Sequence, residues 1–412
     1  MRLVYLTSLY PAYISQFYGR RPLLELESFD TQLAALDADA FGWSGAWPQA
    51  LKPCGIAVTE VFCNVAPLQR AWAWEHDRYL LSRWDIRPVA IAQVKAARPD
   101  VLFFDHGDEE MLQEIKREVP GLQLVVGWVG GTIPDSYAWG LFDLLLSCAP
   151  ESVDWMRERG ATADILQHGF NDAVVPRLKP GPRDTDVAFF GQIVTSGSFH
   201  GKRERFLMRL IEAGLPVAIY SPNYDVGVRD DLIGAARIGA WGVAHALSAV
   251  GIRDSAIRRI PGVGRALDWR QRPYMPIGRL LRSQMREGKY GIDLFNAISG
   301  AKVTLNMHAD SSTRFASNMR LFETAGAGGC VVTDWKDNLP QLFEADREVV
   351  SYRSVEECIE KVRWLLARPN ECEAIGRAAQ RRALRDHTYT RRGEQLAEIL
   401  RRALPERNRL SA

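Results

Sequence analysis

"NMRLFETAGAGGCVVTD", residues 318–334, sets one charged pair at the start of a short helix and then runs through alanines and glycines into an apolar strand. Ser317 or Asn318 is suited to cap the helix, leaving backbone N–H groups and the positive end of the dipole open to an anion. Such a helix end binds phosphate oxygens well. Arg320, in the first turn, adds a forked cation whose geometry matches phosphate. Glu323, one turn on, is a carboxylate placed to accept hydrogen bonds from a ribose diol. Ala325, Gly326, Ala327 and Gly328 let the helix lie close against the sheet that the strand enters. For Arg320 and Glu323 alone, an ion pair on a solvated helix face is the simpler explanation. The small residues and the strand directly behind them favour a nucleoside diphosphate site instead.

Working outward, strand-like apolar runs alternate with helical patterns along the whole chain, the signature of parallel sheets joined by crossover helices. RLVYLTS opens the chain, and VLFFD ends at Asp105, His106 and Gly107; LQLVVGWVGG, DLLLSCA and ADILQHG follow. PRLKPGPRDTD, residues 176–186, reads as a linker. A second set begins with DVAFFGQ and PVAIYSP and continues through KVTLNMH, GGCVVTD and EVVSY. The expected fold is therefore α/β, with two Rossmann-like doubly wound domains facing a central cleft. The expected boundaries are 1–178 for the first domain and 183–388 for the second, with an insertion at about 225–288. Residues 389–412 form a C-terminal helix expected to cross back to the first domain, with Leu396, Ile399, Leu400 and Ala403 on one face. Ligands of such sheets bind at the carboxyl ends of the strands, so the cleft is the expected site.

The bulk properties exclude several classes. A chain of 412 residues is too long for one ordinary core. Its net charge of +2 gives no global reason to expect nucleic acid, and none is expected as a partner. The six cysteines are scattered without a Cys-x-x-Cys, as buried small hydrophobes in a reducing cytoplasmic setting would be. The N-terminal segment is broken by Pro11 and lacks a small-residue cleavage site, unlike a signal peptide. No apolar run is long enough to span a membrane.

From about Lys289 to Leu366 the chain resembles the C-terminal domain of GT-B glycosyltransferases, most closely the group 1-like transferases related to spore maturation protein. The resemblance rests on KVTLNMH, on Asn318, Arg320, Phe322 and Glu323 as an Asn-x-Arg-x-Phe-Glu stretch, and on the apolar Leu339–Phe343 helix. It implies a glycosyltransferase that moves a sugar from a nucleotide-diphosphate-sugar donor to a glycan or lipid-linked acceptor, with retention of anomeric configuration. The donor is a substrate, and neither cofactor nor metal is expected. In the retaining superfamily a first glutamate precedes the ribose glutamate by eight positions. Glu323 fits the second, but Phe315 stands where the first belongs.

The same resemblance assigns the donor nucleotide to Glu323, Arg320 and Asn318, with Gly191, Tyr290 and a basic residue near the front of the 202–214 helix. Lys202 and Arg205 are the candidates there, with Arg203 between them. Cations beside a helix start offset the charge growing on a departing diphosphate. Asp310 is assigned to the donor sugar, and His106, beside Asp105, Asp108 and Glu109, to the reacting centre. Tyr10, Tyr13 and Arg20, in and after the loop that follows the first strand, are the acceptor candidates. Asp37 and Asp39 copy a metal-binding Asp-x-Asp but follow a helical pattern, and PGVGRAL at 261–267 lies outside any strand-to-helix turn; both are set aside.

Residues 253–289 hold ten Lys or Arg against three acids, interleaved with apolar side chains. A peripheral contact with an anionic membrane is one reading. Lining the acceptor cleft, binding a protein partner, or a plain solvated insertion are the others. Two functional alternatives share the architecture: a nucleotide-sugar 2-epimerase, and a non-catalytic transferase-like subunit that binds nucleotide.

Overall fold

The computed structural model describes the chain except residues 79–84, 132–137, 180, 194–200, 225–227, 270–272, 274–276, 309–312 and 405–412. The first domain holds a parallel sheet of β1 (Arg2–Thr7), β2 (Ala57–Phe62), β3 (Val101–Asp105), β4 (Leu124–Trp128), β5 (Leu144–Ser147) and β6 (Ala163–Ile165). Their spatial order is β2-β1-β3-β4-β5-β6. The second sheet contains β7 (Thr185–Phe190), β8 (Val217–Ser221), β9 (Met285–Glu287), β10 (Ala301–Asn306), β11 (Val331–Asp334) and β12 (Val350–Tyr352). Its order is β12-β11-β10-β7-β8-β9.

The near-continuous apolar strands follow from burial on both faces, which parallel sheets impose. In the first sheet Leu3, Tyr5, Phe103 and Val126 face one core, and their neighbours Val4, Leu6, Leu102 and Val125 face the other. The second sheet divides the same way, with Val187, Phe189 and Val303 on one side and Ala188 and Phe190 on the other. Each order reverses beside its first strand: between β1 and β3, and between β7 and β10. Crevices open at such reversals, outside the carboxyl ends of the strands.

The chain crosses between domains near its end. Phe170 N donates to His387 O at 2.7 Å, and Tyr389 N donates back to Phe170 O at 3.0 Å. Gly326 supplies the clearance here, since a Cβ on it would stand 2.1 Å from the Phe170 ring. The terminal helix, Tyr389–Ala403, then packs beside the Ala46–Leu51 helix of the first domain. Leu396, Ala397, Ile399 and Leu400 join the core that holds Leu3, Trp47 and Phe103.

Between β8 and β9 the alternation gives way to helices, chiefly Val228–Ala249, with short turns after it. No helix among the described residues is long and apolar enough to cross a membrane.

Candidate active site

A cleft of ≈ 1570 Å³ separates the two sheets, and its walls come from both. On the second-domain side lies the Met319–Gly326 helix, whose first residues, Ser317 to Arg320, border the cleft together with Glu323. Glu323 is buried, and its Oε2 accepts from Arg320 Nη1 at 2.6 Å. Burial pushes the Glu323 carboxyl up, and the Arg320 cation opposes that shift. Arg320 itself lies 5.8 Å from the Phe190 ring, and its Nε finds no partner among the described residues. The pair is thus a cation and a carboxylate held under the cleft wall, with donor capacity left over.

Asn318 is the N-cap residue by backbone conformation, but its side chain does not cap the helix. Its Nδ2 donates instead to Asn306 Oδ1 at 2.7 Å, and Asn306 Nδ2 donates to Thr333 Oγ1 at 2.9 Å. This correction leaves the first-turn N–H groups uncapped by that residue at the cleft edge. Asn318 is a clamp between helix and strand end.

Near the end of β7, Gly191 borders the cleft. Of the basic trio on the Gly201–Glu212 helix, Arg203 lines it; Lys202 and Arg205 are exposed and lie outside its walls. Arg203 Nη2 donates to Met307 O at 3.2 Å, and its guanidinium lies 5.7 Å from the Phe189 ring. Tyr290 also faces the cleft, with its ring edge-on to Phe41 at 5.7 Å. Asp310 lies outside the described residues.

The first-domain wall is built at the β1/β3 reversal. Parallel register sets Thr7 opposite Asp105. Tyr5 and Thr7 hydroxyls both donate to Asp105 Oδ2, at 3.0 and 3.1 Å. Burial raises the Asp105 carboxyl, while these two hydrogen bonds lower it. Both bonds use one oxygen, which leaves Oδ1 for a ligand. His106, read as the reacting centre's histidine, is not part of the cleft lining. Its ring lies edge-on to Phe104 at 6.0 Å, in the bend that follows β3. Asp105, the preceding residue, does line the cleft.

Of the acceptor candidates, Tyr10 lines the cleft and is largely exposed. Tyr13 is buried and stacks on Phe41 at 4.0 Å. Arg20 reaches into the second domain, where Nη1 pairs with Asp293 at 2.6 Å and Nη2 with Glu287 at 3.2 Å. Arg20 therefore ties the domains together beside the cleft through its cation, and Tyr13 meets Tyr290 of the second domain ring to ring at 5.8 Å.

An aromatic group that no sequence motif marks lies deeper in the first-domain wall. Trp43 lies 4.7 Å from Trp128 and 5.7 Å from His168, ring to ring. All three line the cleft. Burial, with Arg392 nearby, drives His168 down to about 3, so its ring is neutral at ordinary pH. Its Nδ1 has no partner among the described residues.

Residues 245–398 match the model of the glycosyl transferase-like family. Among solved structures, Anabaena HepE in complex with UDP-glucose is similar at 11% identity and a TM-score of 0.50, covering 97% of this chain and 99% of that one. Sucrose-phosphate synthase from Thermosynechococcus elongatus is similar at 9% identity and a TM-score of 0.50, with 98% of each chain covered. At such identities the likeness speaks for the fold. No curated protein matches the sequence significantly. That family match spans most of the second domain, and with two facing Rossmann-like domains of the GT-B fold it supports a glycosyltransferase of the group 1-like kind.

Proposed function

We propose that the protein transfers a sugar from a nucleotide-diphosphate-sugar donor, held by the second domain, to a glycan or lipid-linked acceptor held by the first. The observation that carries this is the Arg320–Glu323 pair, with the carboxylate buried, at the cleft edge of the Met319–Gly326 helix. A helix start, a forked cation and a carboxylate suit two phosphates and a ribose diol. On this reading Glu323 takes the ribose, and Arg320 and Arg203 share the diphosphate. Asp105 Oδ1 accepts a hydrogen bond from a sugar hydroxyl at the reacting end. Closure of the cleft walls on the substrates would exclude water, which limits donor hydrolysis.

Incubation with UDP-, GDP-, dTDP- and CMP-sugars, monitored for nucleotide release, tests the reading. Release from one donor is expected to rise when the right acceptor is added. A nucleotide-sugar 2-epimerase needs carboxylates in the same cleft, and Asp105 and Glu323 are two. An epimerised donor formed without acceptor identifies that activity. Retention of configuration, carried by the family resemblance, is read from the anomeric coupling of the product. An inverted product overturns it.

Two further results are expected. Arginines in place of a metal as the charge clamp predict full turnover in excess EDTA. Activity lost to chelator and restored by magnesium or manganese would reassign the clamp. Asp105→Asn keeps the shape of the side chain but redirects its hydrogen bonds, because an amide nitrogen cannot accept. It should lower kcat by about tenfold to a hundredfold through a misplaced sugar, with nucleotide affinity unchanged. A matching fall in nucleotide affinity would put Asp105 on the donor's base or ribose.

A further inference from the structure

The helix Val228–Ala249 has a sequence that does not suit where it lies. From Leu232 to Val250 its only ionisable side chains are Arg237 and His245. A helix apolar on every side belongs inside a protein or in lipid. Here it belongs to a hairpin with only a small core of its own. Ala244 meets Ile257 and Ala266, with Trp241, Leu247 and Trp269 around them. The remaining faces are open: Leu232 is 67% exposed, Val243 48% and Val250 75%. Just past the helix, Ile252 and Ile260 are exposed as well.

Past the end of the helix, the charges beside this apolar surface have one predominant sign. Arg253, Arg258, Arg259 and Arg265 are exposed beside it, against Asp254 and Asp268. Asp268 is engaged by Arg258 at 2.8 Å. The root of the hairpin meets the cleft, where Ile233, Gly234 and Arg237 form part of the wall.

We propose that this hairpin docks the protein on an anionic bilayer, laying Leu232, Val243, Val250 and Ile252 into the interface with the arginines among the headgroups. Apolar burial and attraction of basic side chains to anionic lipid act together in such contacts. The apolar element is thus the helix ahead of the basic stretch 253–289, and the stretch contributes charge. A second copy of the chain is the less suited occupant. Twofold pairing sets a patch against itself, which would bring the arginines of one copy towards those of the other. Docking by this face also sets the cleft beside the membrane, where an amphiphilic acceptor resides; that consequence alone rests on the transferase reading.

The test is flotation of the full-length chain with phosphatidylcholine vesicles, with and without phosphatidylglycerol. Binding is expected to the anionic vesicles only, and to weaken with salt as screened charges do. The triple variant L232E/V243E/V250E touches none of the cleft walls and should lose vesicle binding by about tenfold or more. R258E/R259E, a milder change, should shift binding in the same direction. Circular dichroism and thermal unfolding establish that the variants are folded. Absence of flotation with both vesicles, or flotation unchanged in the triple variant, overturns the proposal. A dimer seen by sedimentation velocity and abolished by the triple variant, without flotation, gives the face to a second copy and overturns it too. Since no nucleotide or acceptor enters the assay, its failure leaves the transfer reading untouched, and failed donor turnover leaves docking untouched.

Discussion

Glu323→Ala is expected to bind the donor's nucleoside diphosphate about five- to 150-fold more weakly than the parent chain, a loss of roughly 1–3 kcal/mol. The carboxylate is buried at the cleft edge, so nothing but the ligand or a trapped water can replace it as acceptor. Truncation leaves two ribose hydroxyls poorly paired in a place with little water. It also releases Arg320, whose Nη1 is held at 2.6 Å from Oε2. A guanidinium without that tether loses the fixed fork that recognises a diphosphate. Both changes act against binding. Isothermal calorimetry with UDP, GDP, dTDP and CDP, on protein shown to be folded, is the measurement. Glu323→Gln keeps one acceptor oxygen but gives up the charge that holds Arg320, and should fall between the two. Unchanged affinity would remove the ribose role. Tighter binding would mean that Glu323 competes with the diphosphate for Arg320, which reverses its assigned function.

What the sequence disclosed about this site follows from distance along the chain. Arg320 and Glu323 are three residues apart on one helix, so their meeting is a local matter, as were the apolar runs of the parallel strands. Residues whose places depend on the far side of the fold were not legible. Arg20 sits in a loop-like segment rich in charge, and nothing near it reveals that Glu287 and Asp293 of the other domain hold it. Tyr13 resembles an accessible loop tyrosine until Phe41 covers it. Choosing Arg203 over Lys202 and Arg205 requires the rotation of the Gly201–Glu212 helix, and each residue turns that helix by about 100°. Asp105 and His106 pose a similar problem at the strand end: Asp105 lines the cleft and His106, in the bend after it, does not, and the sequence does not state which. Asn318 looked like a helix cap because its competing partner, Asn306, lies at the end of another strand. The aromatic wall of Trp43, Trp128 and His168 comes from three separated segments, each of which reads as ordinary core.

The C-terminal helix should give the largest stability effect of any single surface-to-core element. Leu400→Ala is expected to cost about 2–5 kcal/mol of unfolding free energy, the usual range for leucine truncation in a closed core. Leu400 has no solvent exposure, and its surroundings are the first domain's own core, including Leu3, Trp47 and Leu51. The neighbouring helix cannot move in to fill the space. Gly393 already brings the two helices into contact, and a Cβ there would lie 2.5 Å from Ala50 O. Gly393→Leu should therefore force them apart and destabilise the same transition by a different route. Immediately before Gly393, Arg392 Nε donates to His168 O at 2.8 Å and its Nη2 meets His387 Nδ1 at 2.9 Å. The helix thus braces the segment that carries a cleft-wall residue as well as the crossing between domains. Urea unfolding followed by tryptophan fluorescence reports on Trp43 and Trp47 in this region. Leu384→Ala, on a partly exposed face of the preceding helix, is the control and should change stability by about 0.5 kcal/mol or less. A Leu400→Ala loss no greater than that control would mean that the terminal helix does not complete the first domain's core in solution.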